Sequence, residues 1–175
     1  MKAQREYFWQ KNVYILESDK ISKFIAFDLE TTGLEEDDEI IEFGGAYFEG
    51  DELKKTYSTL VNPNKPVPKA VLMLTGINDE DIKKAPTIAE VGNEIQNFIS
   101  DNILVAHNAQ FDLSFIQKEV SFISNITLDT LELSRILLPF ITNHKLASYS
   151  FKPDRRKHKS FTVRKNINEF IFMET

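Results

Sequence analysis

The first residues able to do chemistry are two carboxylates, two positions apart, at the end of an apolar run. In FIAFDLETTG, residues 24–33, Asp28 and Glu30 follow four consecutive apolar residues. In an extended chain their side chains leave the same face about 7 Å apart. Such a pair repels itself and is costly to bury unless a cation lies between the two groups. The spacing suits a pair of hard divalent ions roughly 4 Å apart, bridged by oxygen ligands. The plain alternative is a solvated loop, because most acids are exposed; against it stands the direct attachment of Asp28 to a run that reads as a core strand. A second group lies in AHNAQFDLSFI, residues 106–116, where Asp112 falls in the first turn of a helix following a short apolar stretch. There it is either an acid complementing the helix dipole or a group aimed from a rigid support at a site beside the sheet. His107, alone at a strand end, is more often a packed or hydrogen-bonded residue than a ligand.

The elements that must position these groups follow from periodicity. Phe24 to Phe27 reads as a strand covered on both faces. Two apolar stretches, about 40–48 and 55–61, are separated by Gly50 and Asp51, which predicts a hairpin. VNPNKPVPKA, residues 61–70, carries three prolines and predicts an irregular connection. From Thr87 to Ile99 the residues Ile88, Val91, Ile95, Phe98 and Ile99 share one helical stripe, and Thr87 with Glu90 has capping-box spacing. Ile103 to Ala106 reads as another short buried strand, Asn108 as a helix cap, and Phe111 to about Val120 as the helix it starts. Leu128 and Asp129 close a further strand, with Asp129 or Thr130 capping a helix around Leu131 to Leu137. Strands followed by alternating helix and strand give a mixed α/β sheet.

Composition narrows the function classes. The 175 residues contain 42% hydrophobic and 27% charged residues and no cysteine, as expected of one globular domain. Without cysteine there is no disulfide, thiolate zinc site or thiol nucleophile. Twenty-seven acids against 21 Lys and Arg give a net charge of −6, so a broad basic surface for nucleic acid is lacking and bound metal would have to serve instead. No stretch approaches a membrane span or a signal sequence, so a cytoplasmic, non-membrane protein is expected. Residues 151–175 hold seven Lys and Arg and three acids, a tail of +4 on a body of −10.

Taken together, these residues resemble the DEDD superfamily of 3′–5′ exonucleases. Within it they resemble the DnaQ-like group, which includes the proofreading subunit of bacterial DNA polymerase and modules attached to polymerases and helicases. The resemblance covers roughly Lys23 to Ser150. In FDLETTG, Asp28 and Glu30 match metal-binding acids, and Thr31, Thr32 and Gly33 match the turn against the terminal nucleotide. EIIEFGGAYF matches the second strand. LTGI, with Thr75, Gly76 and Ile77, matches a loop touching the substrate end. AHNAQFD supplies Asp112 as the third metal-binding acid, with His107 and Asn108 on the substrate side. LDTLELSR at 128–135 also looks like the family. The resemblance implies a ribonuclease H-like, five-stranded mixed sheet flanked by helices. It implies two divalent metal ions, Mg2+ or Mn2+, and in-line hydrolysis at the 3′ end of single-stranded DNA or RNA. A polymerase or helicase is the implied partner.

The likeness stops at the third motif, where the family has a general-base histidine, four residues and a fourth acid. After NHKLAS at 143–148 no such His-x-x-x-x-Asp or His-x-x-x-x-Glu occurs. The nearest substitute is Asp154 with His158, one helical turn apart in reversed order. The expected organisation is an extension at 1–22, an exonuclease-like domain at 23–150 with its carboxy-terminal part truncated or altered, and a divergent basic tail at 151–175. That tail could follow a nucleic-acid backbone or be a solvated terminus. The expected function is a 3′–5′ exonuclease of impaired activity, the alternative a non-catalytic module binding a nucleic-acid end or a replication partner.

Overall fold

The computed structural model describes residues 22–120 and 123–146. Nearly all of the 1–22 extension, the 151–175 tail and the Asp154–His158 pair lie outside the described residues. Five strands form one sheet in the order β3-β2-β1-β4-β5. Strands β1 (Lys23–Thr31), β2 (Ile40–Glu49) and β3 (Glu52–Leu60) form an antiparallel meander. Strands β4 (Ile103–Ala106) and β5 (Thr127–Asp129) add in parallel on the other side of β1. The β2–β3 turn is made at Gly50, whose φ of +63° is open to glycine at no steric cost. The mixed five-stranded sheet expected from the sequence is therefore present.

Two short helices, α1 (Lys69–Thr75) and α2 (Asp79–Lys84), follow the proline-rich connection. Then comes α3 (Ile88–Ile99), whose Thr87–Glu90 capping box is formed as its spacing predicts. Val91, Ile95, Phe98 and Ile99 of α3 are buried with Ile25, Phe27, Leu29 and Phe43 of the sheet and with Phe115 and Ile116 of α4 (Ala109–Glu119). This core fixes α4 against the sheet. No helix among the described residues is long and apolar enough to cross a membrane.

The corner joining β4 to α4 differs from the sequence expectation. Asn108 does occupy the cap position, but its side chain does not cap; its φ is +66°, in the left-handed region that asparagine tolerates. The cap comes from Asp129 at the end of β5. Its Oδ1 accepts the Asn108 N–H at 3.0 Å and its Oδ2 the Ala109 N–H at 3.1 Å. The same Oδ1 accepts the Leu131 N–H at 2.8 Å and so starts α5 (Thr130–Leu137). One carboxylate thus sets the entry of two helices, including the helix that carries Asp112.

Asp129→Ala removes all three hydrogen bonds and should lower stability by about 2–3 kcal/mol in urea denaturation. Asp129→Asn, which keeps one acceptor oxygen, should lose less. Wild-type stability in the alanine variant would contradict this role.

Candidate active site

The parallel pairing of β1 with β4, which sets Ala26 opposite Val105, brings the end of β4 beside Asp28. The chain then turns through His107 and Asn108 into α4, and Asp112 stands one turn inside that helix. Its side chain is 3% exposed. The Leu29 N–H donates to Asp112 Oδ1 at 3.1 Å, a bond between residues 83 positions apart. Asp112 is thereby tied to the strand segment between Asp28 and Glu30.

The electrostatics show what this convergence costs. Burial pushes the Asp28 carboxyl up to about 7; the nearby charges of Glu30 and Glu42 push the same way, and the Leu29 amide pulls against them. Burial pushes Asp112 up to about 8, helped by Asp28 and by Asp129, while the Leu29 N–H and its own backbone amide oppose the shift. Two desolvated, mutually repelling carboxyls at a strand end are what a bound cation would relieve. Among the described residues no three carboxylate, imidazole or thiol groups close on one point to hold an ion alone. The donor set still fits magnesium or manganese, because magnesium takes one or two carboxylates and fills its shell with water and phosphate oxygen. Asp28 and Asp112 would be those two, with Glu30 at the next same-face position of β1.

The other residues singled out in the sequence fall in three places. Thr31 and Thr32 are buried, and their hydroxyls are used within the turn. Thr31 Oγ1 donates to the Gly33 carbonyl at 2.5 Å, and Thr32 Oγ1 donates to Asp38 Oδ1 at 2.7 Å while accepting the Glu39 N–H at 3.0 Å. A β-carbon on Gly33 would stand 2.2 Å from Asp38 Oδ2, so only glycine allows this approach. Hydrogen bonds from the Lys65 ammonium, from Thr32 and from the Glu35 N–H hold the Asp38 carboxyl down at about 2. Thr75, Gly76 and Ile77 close a separate turn after α1, with Gly76 at φ +69° and Ile77 buried against Ile41 and Ile82. His107 Nδ1 lies 3.0 Å from Thr130 Oγ1, and Asn108 is held by Asp129, so both belong to the β4–α4 corner beside Asp112.

Sequence reasoning missed two contributors. Glu42 pairs with Glu30 across β1 and β2 and so adds a fourth acid to the neighbourhood; its signal was its place in EIIEFGG, which needs the strand register to interpret. Between the 34–36 loop and α4 lies a cleft of about 440 Å³, lined by Leu34, Glu35, Glu36, Phe111, Ser114, Phe115 and Lys118. The i, i+3, i+4, i+7 spacing of the last four was visible, but the loop facing them was not.

A five-stranded mixed sheet with a pair of acids at the end of its central strand and a buried helical acid beside them fits the ribonuclease H-like class of α/β fold. Residues 25–162 match the family described as Exonuclease (RNase_T), and the chain belongs to that family. The match runs past Ser150, where the motif likeness ends. The chain is 43% identical over 129 residues to the PolC-type DNA polymerase III of Caldanaerobacter subterraneus subsp. tengcongensis, covering 71% of this chain and 9% of that protein. Against the PolC-type DNA polymerase III of Bacillus subtilis it is 38% identical over 138 residues, covering 75% and 10%. The chain thus spans about a tenth of the length of these polymerases. Among solved structures, exonuclease X in complex with 5′ overhanging duplex DNA shares the fold with a TM-score of 0.60 at 24% identity, over 71% of this chain and 69% of that one. E. coli exonuclease I in complex with a dA16 oligonucleotide shares it with a TM-score of 0.58 at 16% identity, over 65% and 29%.

The raised carboxyls set a pH dependence. Between about pH 4 and about pH 7 to 8 the metal-free folded state holds protons on Asp28 and Asp112 that the unfolded chain has released. Stability therefore falls as pH rises through that window. Asp38 acts elsewhere: its contribution is present above about pH 4 and is lost as pH falls toward about 2. The thermal midpoint of metal-free protein should drop between pH 5 and pH 8. Asp112→Asn should recover on the order of a few kcal/mol at pH 8, a rise of several degrees, and Mn2+ should restore the wild type. A midpoint indifferent to pH and to Mn2+ would contradict the buried acid pair.

Proposed function

We propose that this chain is a metal-dependent 3′–5′ exonuclease module of the DnaQ-like kind. It acts in the cytoplasm on 3′ ends of single-stranded DNA or RNA during DNA replication or repair, beside a polymerase or helicase. The observation that carries this reading is the convergence of Asp112 on the Asp28–Glu30 strand end through the Leu29 N–H. Two Mg2+ or Mn2+ ions, when bound, would polarise the terminal phosphodiester and lower the pKa of an attacking water. Asp28, Glu30 and Asp112 would hold those ions, with Asp112 oriented by the Leu29 N–H. Bound cations would let a chain of net charge −6 accept a polyanion.

Thr31 and Thr32 donate their hydroxyl protons inside the turn, so Thr31, Thr32 and Gly33 meet a nucleotide as a pre-formed turn. Thr75 to Ile77 and His107 with Asn108 complete the substrate side. Leu34, 81% exposed, faces the same cleft as Phe111, giving a base two apolar surfaces beside the acids. Affinity drawn from phosphate and stacking makes cleavage largely indifferent to sequence.

A second reading, a non-catalytic module binding nucleic-acid ends or a replication partner, is favoured by one observation. The sequence after Asp129 has no His-x-x-x-x-Asp or His-x-x-x-x-Glu. His144 is engaged elsewhere: Ser134 Oγ donates to the Leu131 carbonyl at 2.7 Å, so the contact of 3.0 Å between this hydroxyl and His144 Nδ1 uses the ring N–H as donor. Loss of a general base typically removes 10²–10⁴-fold in rate, so the exonuclease reading carries impaired turnover with it.

Purified protein with 3′-labelled single-stranded DNA and Mn2+ should release mononucleotides slowly, and Asp28→Ala should bring release to background. Binding to 3′ ends without any release would establish the second reading. Neither binding nor release would overturn both.

A further inference from the structure

The loop after the 31–33 turn carries five consecutive acids, Glu35 to Glu39. Five like charges in a short segment repel one another, and nothing in that repulsion holds such a loop beside a helix. Two lysines do so from opposite sides. From the proline-rich connection, Lys65 reaches Asp38 Oδ1 at 2.8 Å and the Asp37 carbonyl at 2.7 Å. From α4, Lys118 donates to the Glu36 carbonyl at 3.0 Å and to the Asp38 carbonyl at 3.4 Å.

The two grips differ in kind. Lys65 pairs with the Asp38 carboxylate as well as with the Asp37 carbonyl, whereas Lys118 bonds to backbone carbonyls of the loop alone and so fixes the loop's path from the helix side. Its bonds cross the cleft of about 440 Å³, with Leu34, Glu35 and Glu36 in one wall and Phe111, Ser114 and Phe115 in the other. The Phe111 and Phe115 rings lie 4.9 Å apart by centroid and make the helical wall apolar and aromatic. The rim on the loop side is acidic, which turns phosphate away. An apolar cleft with an anionic rim suits a flat, uncharged group, and beside Asp112 that group is the base of a nucleotide whose phosphate sits at the acids.

We propose that Lys118 is a positioning residue for nucleic-acid binding: by bridging α4 to the 36–38 backbone it holds the cleft at the width of a stacked nucleobase. This rests on the exonuclease-type reading of the site. It implies that Lys118 acts through the loop and makes no phosphate contact of its own.

The test compares wild-type protein with Lys118→Met, which keeps the aliphatic stem but removes the donor, and with Lys118→Arg, which restores donors. Binding of a fluorescent dT12 oligonucleotide is measured by anisotropy over a range of salt concentrations, together with KM and kcat for single-stranded DNA in Mn2+. Lys118→Met should weaken dT12 binding about tenfold, a change of about 1.4 kcal/mol, with an unchanged salt slope. The kinetic loss should fall on KM more than on kcat, and Lys118→Arg should recover most of the affinity. Wild-type affinity in Lys118→Met would overturn the proposal. So would a salt slope reduced by about 0.7, the mark of one lost phosphate contact on a single strand. If wild-type protein fails to bind dT12, the exonuclease-type reading falls as well; if it binds and the methionine variant binds equally, only the role of Lys118 falls.

Discussion

The structure turns on a buried carboxylate held to the backbone of a strand 83 positions earlier in the chain. Asp112 stands where burial and the charge of Asp28 both oppose its ionised form. The single bond from Leu29 does not offset that cost, since a hydrogen bond to a charged group contributes only about 1.5–3 kcal/mol net. The acid is therefore placed against its own preference by the elements around it. Three things do the placing: the β1–β4 register, the Asp129 carboxylate that starts α4, and the apolar packing of Phe115 and Ile116 under the helix. A stability cost concentrated at one strand end, in a fold otherwise free of buried unsatisfied side-chain atoms among the described residues, is the pattern expected where function is bought from stability.

The segment that follows that strand end is tightly fixed. Gly33 lets Asp38 close over the turn, and Thr31 and Thr32 spend their hydroxyls locking it. The acidic 35–38 loop is itself engaged by Lys65, at the Asp38 carboxylate, and by Lys118, at the Glu36 carbonyl. Negative charge therefore gathers in two separate places. At the strand end it is buried and calls for a cation; on the loop it is solvated and screened.

Much of this was legible in the residues alone. The apolar run FIAF gave β1, the 3.6-residue stripe and the Thr87–Glu90 box gave α3, and ILVA gave β4, because each signal is local and depends on one face of one element. Asp28 and Glu30 could be picked out because an acid attached to a core strand is unusual, and Asp112 because a first-turn acid followed a buried strand. What stayed hidden depends on pairing between distant segments. Asn108 looked like a cap by type, but the cap is Asp129, 21 positions away. Glu42 became part of the neighbourhood only through its cross-strand register with Glu30. The short helices α1 and α2 lie beside a connection whose prolines mask them, and the carbonyl partners of Lys118 lie about 80 positions earlier in the chain, out of reach of any local signal.

The most direct measurement is an anomalous difference map from crystals soaked in Mn2+ near pH 8. A peak within coordination distance, about 2.0–2.2 Å, of carboxylate oxygens from both Asp28 and Asp112 is the predicted result. A fully occupied manganese site elsewhere, with the Asp28–Asp112 position empty, would contradict the account.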